Sequence, residues 1–159
     1  MSRLTNHADG IPGPQGPKGD PGADGSSTVA EQTYVVGGGT SGTQPTFTGS
    51  PLFYGSYASQ GDLVHFRVNV DFDNITRFGT GQYYVTLPSV SAHDCYMRNG
   101  HLAHNGDRYS MSGHVTAGTN ILNLFYTLSN GKEAPFTYSN PVILTTADDF
   151  HIYGSYFVG

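Results

Sequence analysis

The sequence predicts an all-β protein: a jelly-roll-like β-sandwich head over 49–159, carried on a short N-terminal triplet-repeat stalk and assembled as a homotrimer. Three observations predict it. Glycine occupies every third position from residue 10 to residue 25. Beyond residue 50, several segments alternate apolar and polar residues, the period-2 pattern of half-buried strands. Turn signals separate those segments at short intervals, the spacing of a sandwich rather than of a helical fold.

Composition agrees. Of the 159 residues only 12% are charged, and the net charge is −5. A basic footprint for nucleic acid is absent, as is a polybasic membrane anchor. Glycine (22), tyrosine (11) and phenylalanine (9) are abundant, a balance that favours strands and turns. Cys95 is the single cysteine, so no intrachain disulfide forms and stability must come from packing and assembly. No window reaches the ~18 apolar residues of a membrane span, and the first residues lack the apolar run of a secretory leader. No membrane insertion is expected.

The elements follow in order. Residues 1–9 are polar, and Ser2, Arg3, Leu4, Thr5, Asn6 and His7 are read as a docking peptide. Residues 10–27 run G-I-P G-P-Q G-P-K G-D-P G-A-D G-S-S, with Gly10, Gly13, Gly16, Gly19, Gly22 and Gly25 in one register. Strict triplets with frequent proline are the collagen signature, because only glycine fits at the crowded axis of three polyproline-II chains. Lys18 and Asp20 are placed to form an interchain ion pair worth at most ~1 kcal/mol. The stalk spans roughly 50–55 Å at ~3.1 Å per residue. A run so short needs an adjacent trimeric domain to hold three chains in register. Residues 28–48 form a neck, with a short strand near 33–36 and a flexible glycine-rich connector over 37–42.

The head opens at 49. In 62–72, Val64, Phe66, Val68, Val70 and Phe72 alternate with His65, Arg67, Asn69 and Asp71, the strongest strand signal in the chain. Residues 82–87 follow, ended by Pro88. Residues 93–99 and 100–105 read as a hairpin about Asn99-Gly100, a favoured two-residue turn. Residues 107–116 and 120–128 are strands, with a turn at Asn130-Gly131, and 141–144 and 151–158 close the set. An internal echo, Phe53-Tyr54-Gly55-Ser56-Tyr57 and Ile152-Tyr153-Gly154-Ser155-Tyr156, suggests that the first and last strands of the head lie close in one sheet.

Catalytic chemistry finds little footing, and the chain is read as no enzyme. The nucleophile elbow G-x-S-x-G is absent, and Cys95 reads as a small core residue. His101 and His104 have a spacing that suits one helical face, but in a strand positions i and i+3 point to opposite faces, so no metal is expected. Asp71/Asp73 and Asp148/Asp149 read as solvated loop acids rather than a glycosidase pair. No cofactor is expected. Binding remains: Phe78, Tyr83, Tyr84, Phe136 and Tyr138 are candidate aromatics for stacking on a surface glycan, or else core and interface residues.

The stretch G-S-Y-A-S-Q-G-D-L-V-H-F-R-V-N-V (55–70) resembles the opening of small β-domains in bacteriophage virion proteins. G-T-G-Q-Y-Y-V-T-L-P (79–88) and I-Y-G-S-Y-F (152–157) resemble their middle and terminal segments. Together with the stalk, the chain is similar to collagen-linked minor tail proteins, tail fibres and head fibres or capsid decorations of tailed phages, especially of actinobacterial hosts. The resemblance implies a trimer on the virion surface, made in the host cytoplasm. Its N-terminal peptides would dock on a capsid or tail protein, and its heads would point outward to touch a host-surface glycan. The architecture also resembles complement-type and tumour-necrosis-factor-like heads. The alternatives are a cellular or spore-surface collagen-like adhesion protein and a glycan-cleaving enzyme.

Overall fold

In the computed structural model, residues 29–49 and 52–159 are described. The docking peptide, the triplet run and the Lys18–Asp20 pair lie outside them. The described residues hold twelve strands and no helix: β1 Gln32–Tyr34, β2 Gly38–Thr40, β3 Thr46–Phe47, β4 Leu52–Gln60, β5 Leu63–Asp71, β6 Ile75–Arg77, β7 Tyr83–Thr86, β8 Cys95–His104, β9 Asp107–Val115, β10 Ile121–Thr127, β11 Glu133–Pro135 and β12 Asp149–Phe157. Ten of them form one antiparallel sheet in the order β1-β4-β5-β12-β8-β9-β10-β7-β2, with β11 added beside β10. β3 and β6 pair separately.

The sheet curls until its ends meet. The Tyr34 hydroxyl, on β1, donates to the Thr86 carbonyl on β7 at 3.1 Å. The Phe53 ring of β4 presses on Gly38 of β2, where a Cβ would lie 2.7 Å from its edge. Only glycine admits that approach, so Gly38 is a packing device rather than part of a flexible connector. Gln32–Tyr34 and Gly38–Thr40 of the neck therefore belong to the sheet, while Thr46–Phe47 pairs with β6. This is an all-β architecture, a curled antiparallel sheet consistent with a β-sandwich.

The core sits within the curl. Val64, Phe66, Val68 and Val70 of β5, with Phe72 beyond it, are all buried, as the alternation of 62–72 requires. Leu122 and Leu124 of β10 join them in one buried cluster with Phe136, Phe150, Ile152 and Tyr156. Aromatic rings join the ends: Phe136 meets Phe150 edge-on at 5.9 Å and Tyr83 at 5.3 Å. The internal echo is explained in part. β4 and β12 flank β5 on its two sides, so Tyr57 and Gly154 both face Phe66. Gly154 is glycine because Met97 would meet a Cβ at 2.8 Å.

Two strand assignments from the sequence need correction. Asn99-Gly100 is not a hairpin turn. It lies inside the continuous strand β8, where Gly100 pairs with Met111 of β9 and Ile152 of β12. A register shift between Met97 and Gly100 marks a bulge. Gly100 is needed there because a Cβ would lie 2.9 Å from the His151 carbonyl oxygen. The turn falls six residues later at Asn105-Gly106, where φ is +50° and +87°, the doubly positive pair of a tight hairpin. Residues 141–144 form no strand either. They belong to an irregular crossing that buries Leu144 and exposes Ile143. The turn at Asn130-Gly131 is present, with Gly131 at φ +77° and the Asn130 side chain accepting from Lys132 N.

Candidate functional site

The candidate site is the outer face of β4, β5, β12 and β8. Alternation turns the polar set of each strand outward, and register then lays the sets out in rows. One row reads Ser56, Arg67, Tyr153, Asn99. The next reads Tyr54, Asn69, His151, His101. Tyr54 and Tyr153 are 58% and 50% exposed, large values for aromatic rings in mid-sheet. They stand two strands and one row apart, with Arg67 and Asn69 between them.

The polar groups are partly organised. His151 Nδ1 lies 2.7 Å from Asn69 Oδ1, and its Nε2 lies 3.3 Å from Asp149 Oδ2. The His101 ring stacks on His151 with centroids 4.9 Å apart. Partial burial, then the neighbouring His151 and Arg108, lowers the His101 pKa below its ordinary 6.5, against an opposing pull from Asp149. His65 Nδ1 lies 2.6 Å from Ser155 Oγ. No carboxylate orients the far side of that ring among the described residues, so the pair lacks the third member of a hydrolytic triad. Arg67 makes no ion pair among the described residues. Between the side chains run two open troughs of about 530 and 270 Å³, both edged by Arg67.

The aromatics singled out from the sequence separate into three environments. Tyr83 and Phe136 are core residues, 4% and 0% exposed, and present no ring to a surface ligand. The Tyr83 hydroxyl donates to the Phe78 carbonyl, and burial, with Tyr138 beside it, pushes its pKa well above 10. Phe78 and Tyr138 do form a surface pair, stacked at 5.1 Å beside Arg77 and Thr80. Tyr84 is half-buried on β7, where its hydroxyl leaves no room for a side chain at Gly39.

His101 and His104 point to opposite faces, as strand geometry demands. His101 joins the outer row, while His104 Nδ1 lies 2.9 and 3.0 Å from the Asp148 carboxylate oxygens. No group of three or more His, Cys, Asp or Glu side chains is arranged to hold a metal ion among the described residues. Asp148 corrects the solvated-loop expectation. It is 1% exposed and also accepts from Thr145 N at 2.8 Å. An Asp-Asp doublet next to a strand carries no sign of which member turns inward. Cys95 is half-buried and packs against the core.

Tyr54, Arg67 and Tyr153 were missed as a group. Their signal was present: the two echoed segments place a tyrosine at the same phase on each side of the strand that carries Arg67. Compared with family models, curated proteins and solved structures, the chain matches none.

Proposed function

We propose that the chain is a structural virion protein: a trimeric phage appendage, either a head fibre or decoration or a minor tail protein. The observation that carries this reading is the in-register glycine run of 10–27 placed directly before an all-β head. Triplets of that kind specify three chains and a rod, not a catalyst. The polar leader, with Ser2, Arg3 and His7, docks on a capsid or tail protein, and the triplets space the head from the particle. The exposed loops then contact a host or environmental surface, with the Phe78–Tyr138 pair as a small stacking platform for glycans. The curled sheet supports such a role because its core is built from its own strands and leaves the loops free to differ.

The experiment is a deletion of residues 1–9 in the producing phage. Particles are expected to lack the protein while free trimers accumulate in the lysate. Incorporation at the unaltered level would refute the docking assignment. Recovery of the intact chain on host cell envelopes rather than on particles would favour the cellular adhesion alternative.

A further inference from the structure

We infer that the outer face of β4, β5, β12 and β8 is where copies of this chain meet, turned toward a threefold axis and packed against the two neighbours. The inference rests on the trimer reading above and adds to it which face of the head is used.

The first argument is reach. Gly25 opens the last triplet, and Gln32 opens β1 only seven residues later. At most ~3.6 Å per residue, that chain spans about 25 Å. β1 pairs with β4 at the edge of the sheet. Three chains leaving one rod therefore place their β1 edges near the axis.

The second argument is the chemistry of the face. A solvated sheet surface on a lone domain is normally small and polar. This one raises Tyr54 and Tyr153 as half-exposed knobs beside open troughs. Aromatic residues and arginine are the groups enriched where protein surfaces meet. Charge is self-complementary as well. Arg67 and His65 lie in the middle of the face, with Glu31 on the rim of the same trough and Asp71 two rows beyond Arg67, at the end of β5. Arg67 has no ion-pair partner within its own chain among the described residues. A heterologous contact of threefold symmetry brings different parts of one surface together, so an arginine at the centre can meet a neighbour's acid at the rim.

The third argument is size. Four strands ~4.8 Å apart and nine residues long give a face of roughly 19 by 30 Å before side-chain relief is added. A bound saccharide would cover only part of it.

The test is hydroxyl-radical footprinting of the full chain, read by mass spectrometry at Tyr54, Tyr153 and Tyr138. In the isolated head Tyr138 is the least exposed of the three, at 38%. In a sample that sediments as a trimer, Tyr54 and Tyr153 are nonetheless expected to react at least fivefold more slowly than Tyr138. Reaction of Tyr153 at the Tyr138 rate in such a sample overturns the assignment. Tyr153→Arg is expected to raise Tyr54 to the Tyr138 rate even if the triplets still hold the chains together, and a protected Tyr54 in that variant also overturns it. A wild-type chain sedimenting at 17.0 kDa is a different failure, that of the trimer reading itself.

Discussion

Asp148→Ala removes the most deeply placed charge among the described residues. The carboxylate accepts from Thr145 N at 2.8 Å and lies against His104 Nδ1 at 2.9 and 3.0 Å. Its side chain has no exposure, and that of His104 only 14%. A hydrogen bond to a charged group contributes about 1.5–3 kcal/mol net, and breaking a buried pair costs ~3–5 kcal/mol. Phe72 N still donates to the Asp148 carbonyl at 3.2 Å, so the backbone crossing stays anchored and the lower end applies. The expected loss is ~3 kcal/mol, or roughly a 10 °C fall in Tm for a chain of this size. Asp148→Asn keeps one acceptor and is expected to lose about half as much. Asp71→Ala, at a half-exposed position whose side chain accepts from Asp73 N, is expected to lose under ~0.5 kcal/mol. The assay is urea unfolding at one fixed protein concentration, because assembly adds to apparent stability. The midpoint is expected to shift with an unchanged slope. A loss below 1 kcal/mol for Asp148→Ala would mean that the buried pair does not hold the 137–148 crossing to β8.

Other outcomes follow from the same contacts. Burial raises the Tyr34, Tyr83 and Tyr156 pKa values above the ordinary 10.0. Above pH 10 the unfolded chain gives up phenolic protons that the folded chain keeps, so stability present below pH 10 is lost as pH rises beyond it. Urea midpoints at pH 8 and pH 11 check this, and Tyr83→Phe is expected to flatten the alkaline fall; equal falls in both proteins would contradict it. Phe136→Ala empties a fully buried site and is expected to cost ~3–5 kcal/mol, whereas Tyr138→Ala, half-exposed beside it, costs under ~1.5 kcal/mol. The reverse order would contradict the core assignment. Gly100→Ala forces a Cβ to 2.9 Å from the His151 carbonyl and is expected to lower the melting temperature, while Gly106→Ala strains only a φ of +87° in open space. Equal Tm losses would argue against a bulge at Gly100.

What was legible in the sequence was what local pattern dictates. The strand through Val64 to Phe72 is visible because each apolar residue is inward and each polar one outward, and a one-residue slip would reverse both. Tyrosines at matching phases in the echoed segments correctly placed the first and last head strands near each other. Asn99-Gly100 misled because an Asn-Gly pair is a turn only when the strands on either side leave it unpaired. Here β9 and β12 hold it from both sides, and the bulge absorbs the extra residue. Asp148 was misplaced, and Tyr83 and Phe136 were left open between a surface and a core role, because which way each turns is settled by partners distant in the chain: His104 for Asp148, Phe72 and Phe136 for Tyr83. The outer face behind Tyr54, Arg67 and Tyr153 needed the strand order β4-β5-β12, which no local pattern supplies.

Sedimentation equilibrium of the full chain tests the central claim most directly. The account predicts a single species of three chains at micromolar concentration, retained in Gly16→Ala because the head supplies most of the contact. A species of one chain, near 17.0 kDa, would contradict it.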